Sequence, residues 1–132
     1  MPAATKRGSA GSRRQTRARW GEALAALCLR LKGYRIEARN WRCGLGELDL
    51  VCSDGEILVF VEVKTRASRK AGRPEDAVGR RKQAQLVRLA EAYLSKQGLE
   101  ARPCRFDVVA VEQGGLVPAV RHLKGAFRAD GL

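Results

Sequence analysis

Gly46-Glu47-Leu48-Asp49-Leu50-Val51-Cys52-Ser53-Asp54-Gly55-Glu56-Ile57-Leu58-Val59-Phe60-Val61-Glu62-Val63-Lys64-Thr65 is the stretch whose reading decides the fold. Two apolar runs flank Asp54-Gly55, the strongest short signal for a β-hairpin. A two-residue loop at that dipeptide pairs Ser53 with Glu56, and a four-residue loop keeps the same register. Continued along both strands, this register sets Glu47 opposite Glu62 and Asp49 opposite Phe60. Paired residues share a face, and successive residues alternate faces. One face then carries Leu48, Leu50, Cys52, Ile57, Val59, Val61 and Val63, all apolar. The other carries Val51, Leu58 and Phe60 near the turn, then Glu47, Asp49, Glu62 and Lys64 at the open end. A three-residue loop would change the parity and send the acids to opposite faces.

One wholly apolar face backed by a half-apolar one implies a strand pair covered on both sides. Carboxylates crowded there repel one another and need partners. A divalent cation resolves the conflict, because Mg²⁺ takes one or two carboxylates together with phosphate oxygens and water. Asp49, Glu62 and Glu47 are therefore candidate ligands for Mg²⁺ or Mn²⁺. The alternative is a solvated strand end in which Lys64 simply pairs with Glu62.

A chain of 132 residues with 45% apolar content forms one domain with a real core. Its net charge of +12 implies a polyanionic partner, with nucleic acid ahead of an anionic membrane surface. No apolar run is long enough to span a bilayer. Cys28, Cys43, Cys52 and Cys104 show no Cys-x-x-Cys spacing, and His122 is the one histidine, a pattern that argues against zinc. Reduced thiols in a cytoplasmic protein are the simplest account.

Residues 1–19 carry six basic residues and no acid, with almost nothing large and apolar, so a disordered basic tail is expected before a single domain over 20–132. From Trp20 to Lys32 the pattern is helical. Leu24, Leu27 and Leu31 mark one face with Trp20 a turn before, while Ala25, Ala26 and Leu29 give a second apolar side. Glu22 falls on that second side, where it is either an acid reaching into a site or a charge complementing the helix dipole. A strand over 35–42 alternates Ile36, Ala38 and Asn40 against Arg35, Glu37, Arg39 and Trp41. After the hairpin, eight basic residues and two acids lie from Lys64 through Lys82. Arg66, Arg69, Lys70, Arg73, Arg80, Arg81, Lys82 and Gln83 are candidate nucleic-acid contacts, since the run leaves directly from the acidic cluster. A second helix is expected over about 75–97, firm from Arg80, with Leu86, Leu89, Ala90, Tyr93 and Leu94 as its stripe. Strands over 105–112 and 116–123 follow, the last at a sheet edge because of Pro118.

A helix linking the third and fourth strands favours a parallel pair in a mixed sheet flanked by helices, an α/β fold. Asp49 followed by Glu62-Val63-Lys64 on neighbouring strands resembles the PD-(D/E)xK nuclease superfamily, whose restriction-endonuclease-like core runs α-β-β-β-α-β. More narrowly, Gly21-Glu22, Gly33-Tyr34, Arg39-Asn40, Gly46-Glu47-Leu48-Asp49-Leu50, Phe60-Val61-Glu62-Val63-Lys64-Thr65-Arg66 and Arg105-Phe106-Asp107-Val108-Val109 resemble the YraN family. These are small bacterial proteins predicted to be endonucleases related to Holliday-junction resolvases. The likeness runs from about Trp20 to Phe127. Leu48 stands where the superfamily motif has proline, a proline that many members lack.

The resemblance implies that Asp49 and Glu62 hold a metal, that Lys64 activates water and stabilises charge on phosphate, and that Glu22 is an acid contributed by the first helix. Gln83 loosely matches a helix glutamine of some nucleases. The implied reaction is metal-dependent hydrolysis of DNA, extending to branched or junction structures. Symmetric cutting of a junction would require a homodimer. Two rivals remain: a nucleic-acid-binding module without catalysis, and an interaction protein whose acids form an ion network. Trp41 is the candidate for stacking on a base.

Overall fold

In the computed structural model, which describes residues 9–67 and 78–129, the central hairpin closes one residue later than the sequence places it. Strand β2 (Gly46–Asp54) pairs antiparallel with β3 (Ile57–Arg66), from Asp54↔Ile57 to Leu50↔Val61. The two-residue loop is Gly55-Glu56, with Gly55 at φ 62° in the first loop position. Glycine takes that left-handed conformation without a Cβ penalty. Asp54 is thereby drawn into the strand, where its Oδ2 accepts from Arg105 Nη1 at 3.3 Å. The pairing shifts by two residues, so face parity survives. Continued one step, it sets Asp49 opposite Glu62, not opposite Phe60.

Helix α1 (Ser9–Leu31) and strand β1 (Arg35–Cys43) precede the hairpin; helix α2 (Arg80–Gln97) and strands β4 (Cys104–Glu112) and β5 (Ala119–Phe127) follow it. The sheet order is β1-β2-β3-β4-β5, with β3 and β4 parallel and every other neighbouring pair antiparallel. This is the expected α/β order and mixed sheet. Between them β3, α2 and β4 supply the parallel crossover. Two cores sandwich the sheet. Leu50, Cys52, Val59, Val61, Val109 and Val111 pack with Ala25, Ala26 and Leu29 of α1. Leu48, Val51, Leu58, Phe60, Phe106 and Val108 pack with Leu86, Leu89, Ala90 and Tyr93 of α2.

Several expectations change. Leu48 joins the α2 side with Val51, three residues on, although strict alternation puts it with Leu50. Ala38 and Trp41, also three apart, pack on that same side, while Ile36 packs on the α1 side. Strand β1 bulges between Ile36 and Ala38, and Asn40 sits at φ 51°. Both strands therefore switch parity together where Asn40 lies opposite Asp49. Trp41 meets Tyr93 edge-on, with ring centroids 5.3 Å apart, and is a core residue rather than a stacking platform.

Helix α1 starts at Ser9, running through most of the stretch expected as a tail. Arginine, alanine and glutamine there are good helix formers, and propagating an established helix is far easier than nucleating one. Residues 1–8 lie outside the described residues. So do residues 68–77, which include Arg69, Lys70, Arg73 and the expected first turn of the second helix. Helix α2 begins after Gly79 and ends at Gly98, whose left-handed backbone N–H bonds to the carbonyls of Leu94 and Ser95. Strand β5 starts after Pro118 instead of including it, because proline cannot donate to a ladder; β5 is an edge, as expected.

Asp107, 1% exposed, ties the far side of the sheet together. It accepts from Arg105 Nε at 2.9 Å, from His122 Nε2 at 2.7 Å and from Gly125 N at 3.0 Å. Burial alone would raise its carboxyl pKa; these bonds outweigh burial and hold it below the usual range. With Nε2–H committed to the carboxylate, His122 Nδ1 accepts from Lys32 Nζ at 2.9 Å, joining β5 to the end of α1.

Helix α1 approaches β3 closely at Gly21. A Cβ there would run into Thr65 Oγ1, with Thr65 Cβ and Cγ2 also close, so Thr65 or the helix must shift. Gly→Ala in an exposed helix stabilises by about 1 kcal/mol. Gly21→Ala instead costs about 1–3 kcal/mol through overpacking. Urea denaturation checks the sign, and Thr65→Ala in the same chain recovers much of the loss.

Candidate active site

Beyond Leu50↔Val61 the β2–β3 ladder stops while β2 stays paired with β1 down to Cys43↔Gly46. The strands part, and the Asp49 side chain occupies the gap. Its Oδ2 accepts the Val63 N–H at 2.9 Å, a donor that a continued ladder would give to a backbone carbonyl. The carboxylate is thus pinned beside the backbone of Glu62-Val63-Lys64.

Glu62 is 6% exposed, on the α2 side of β3. Its Oε2 lies 3.5 Å from Lys64 Nζ, two residues along the same strand face, and 3.7 Å from Lys82 Nζ in the first turn of α2. The helix thus contributes a second ammonium from across the layer. Gln83, expected to reach the same place, donates instead to the Val78 carbonyl at 2.8 Å and secures the start of α2.

Glu22 approaches from the other layer. Its Oε1 accepts from Asn40 Nδ2 at 2.8 Å, and its charge reaches Asp49. Asn40 is the one non-glycine with positive φ among the described residues. Asparagine tolerates that conformation better than most residues. Sequence reading gave Asn40 no role; an asparagine within a strand pattern, where it is depleted, was the available signal. Glu47 is turned aside: it pairs with Arg42 at 3.1 Å and lines a groove with Arg19, Glu22, Asn40 and Arg42. The one-step later hairpin closure accounts for this, since it gives the place opposite Glu62 to Asp49.

Asp49, Glu62, Lys64, Lys82 and Glu22 are therefore brought together, with Glu47 at the margin. Among the described residues no three His, Cys, Asp or Glu side chains form a ready metal cage. Two carboxylates are nevertheless the usual protein share for Mg²⁺, whose other ligands are water and phosphate. Asp49 fits that need: among the described residues no cation pairs with it. Burial first and the charge of Glu62 next push its carboxyl up to about 8; the Val63 bond opposes them without cancelling the rise, and Glu22 and Glu47 add lesser upward effects.

The family model described as Uncharacterised protein family UPF0102 matches residues 21–111, which hold every one of these side chains. The chain belongs to this family. A UPF0102 protein of Moorella thermoacetica is 50% identical over 116 residues, covering 86% of this chain and 97% of the relative. One from Symbiobacterium thermophilum is 56% identical over 94 residues, 71% of this chain and 80% of its own. One from Anaeromyxobacter dehalogenans is 48% identical over 124 residues, 94% and 92%.

The raised Asp49 pKa gives this UPF0102 chain a testable pH dependence. The folded carboxyl holds its proton more tightly than the unfolded one, so its stabilising contribution is complete below pH 3.8 and is lost as pH rises toward 8. Asn at this position keeps an acceptor for Val63 and carries no charge. Asp49→Asn therefore raises the melting temperature of the metal-free protein at pH 8, and the gain shrinks to little near pH 4. Added Mg²⁺ or Mn²⁺ raises the wild-type melting temperature at pH 8 and leaves the variant nearly unchanged.

Proposed function

We propose that this protein is a metal-dependent endonuclease that hydrolyses DNA phosphodiester bonds, branched DNA included. The observation that carries the reading is Asp49, with no cation paired to it among the described residues, set opposite the buried Glu62, which two lysine ammoniums face. Asp49 and Glu62 would hold Mg²⁺ or Mn²⁺. A bound divalent cation supplies positive charge to the phosphate and lowers the pKa of a water.

The chain's own groups do the rest. Lys64 leans on Glu62 and is partly exposed, so its ammonium is free to meet the charge that builds on phosphate oxygens in the transition state. Lys82 faces the same carboxylate and enters the site from α2. Glu22, fixed by Asn40, supplies an acid on the opposite flank. Arg80 and Arg81 are exposed at the start of α2, and Arg88 lines the same groove about two turns further on. These residues suit backbone phosphates, which carry affinity but no sequence information. Arg66 continues the basic run from the end of β3.

Wild-type protein with Mn²⁺ or Mg²⁺ cleaves branched or linear DNA, and Asp49→Asn abolishes cleavage while still binding. DNA bound equally by both proteins and cut by neither establishes the non-catalytic reading instead. Lys64→Ala lowers the single-turnover rate by about 10²–10³-fold with affinity changed only a few-fold. An unchanged rate removes Lys64 from the transition state. Replacing both Arg80 and Arg81 with alanine reduces the slope of log affinity against log salt by roughly 2. A slope that stays put takes these arginines off the DNA.

A further inference from the structure

Helix α1 is packed the wrong way round for an ordinary surface helix. Its small residues face inward: Ala25 and Ala26 with Leu29 are buried, and Gly21 touches β3. Three of its large ones face outward: Trp20 is 40% exposed, Leu27 50% and Leu31 79%, while Leu24, partly buried, packs against the edge of the α1-side core and leaves part of its surface open beside them. At about 100° per residue these four fall within roughly 60° of one another, on the side away from Leu29. The exposed part is on the order of 300 Å², comparable to the largest patch on a typical monomer and a substantial share of the roughly 800 Å² per partner in a standard interface.

Spacing singles out the occupant. Trp20, Leu24, Leu27 and Leu31 are separated by four, three and four residues, the seam of a coiled coil. The spacing reads the same in both directions. Two copies laid antiparallel about a twofold axis therefore match it to itself: Trp20 meets Leu31, and Leu24 meets Leu27. Ala23 falls opposite Cys28, and two small side chains flanking the seam let the backbones approach closely. A twofold contact requires such self-complementarity. The sheet edges are guarded against pairing by Arg35, Arg39 and Arg42 on β1 and by Arg121 and Lys124 on β5. Glu22 lies opposite the seam, so the acidic site stays open.

We infer that the outer face of α1 is the interface of a homodimer, formed as an antiparallel pair of α1 helices about the Leu24–Leu27 centre. The inference stands whether or not the chain cleaves DNA. Charge makes it distinguishable from other occupants. From Ser9 to Lys32 the helix and the residue after it carry six bases and one acid, Glu22. In the antiparallel pair Arg19 falls opposite Lys32, so the ends of the seam repel. Salt screens that repulsion and tightens the dimer. An acidic helix or an anionic lipid surface on the same face would bind more weakly as salt rises.

Sedimentation equilibrium of the full chain tests this. The wild type reaches 29 kDa, twice its 14.5 kDa mass, and more completely at about 0.5 M NaCl, where the Debye length is about 4 Å, than at about 0.1 M, where it is about 10 Å. Leu27→Lys with Leu31→Lys raises the dimer dissociation constant at least about tenfold and leaves the far-UV circular-dichroism spectrum of the chain unchanged, because both side chains are at least half exposed. Leu116→Lys, on an exposed residue of the β4–β5 loop, changes nothing. Wild type that stays monomeric to about 0.1 mM overturns the proposal, as does a double variant that dimerises like wild type. So does a monomer that binds anionic vesicles or an acidic amphipathic peptide through Leu27 and Leu31, with affinity falling as salt rises.

Discussion

One hydrogen bond organises the candidate site of this protein: Val63 N–H to the Asp49 carboxylate. It takes the place of a ladder bond between β2 and β3. With that rung given to a side chain, β2 diverges, and a carboxylate stands among backbone that sheet pairing would otherwise bury. The carboxylate is held by burial and within the field of Glu62, Glu22 and Glu47, which together push its pKa up. Strain of this kind is retained in folded proteins when the surroundings over-determine it. Here the surroundings are two cores packed against opposite faces of the same strand.

The parity switch in β1 and β2 is the backbone expression of the same constraint. Asn40 and Asp49 lie opposite each other at the point where both strands reverse which face they present. A reversal in one strand alone would expose its neighbour's apolar residues; made together, it keeps Trp41 against Tyr93 and Leu48 against the α2 core. Asn40 tolerates the positive φ, and its amide is then positioned to hold Glu22. Acids from α1, β2 and β3 converge because backbone irregularity and side-chain bonding coincide there. At the other end the Arg105–Asp107–His122 network satisfies every one of its charges internally. That contrast, one cluster closed and one left short of positive charge among the described residues, is why the proposed chemistry is placed at the Asp49 end.

The two helices serve differently. Helix α2 buries a clear stripe and sends Lys82 to Glu62 from its first turn. Helix α1 buries small residues so that it can lie close to β3, and this closeness brings Glu22 within reach of the sheet. Trp20, Leu27 and Leu31 are left largely outside as a consequence. The same geometry therefore places an acid in the site and presents an apolar seam on the surface.

Much of this was legible in the linear chain. The apolar runs about Asp54-Gly55 determined a hairpin, and two-residue periodicity placed Asp49, Glu62 and Lys64 within one register parity, because a slip by two residues cannot change faces. The order of elements determined the mixed sheet, since a helical crossover requires a parallel pair. Tertiary structure decided the rest. Where the loop closed depended on which residue could take positive φ with Asp54 held by Arg105, a partner distant in sequence. That one-step difference gave Asp49 the place opposite Glu62 and turned Glu47 toward Arg42. Which side of α1 faced inward depended on how near β3 allowed the helix to come, and periodicity alone cannot weigh a small residue that fits against a large one that does not.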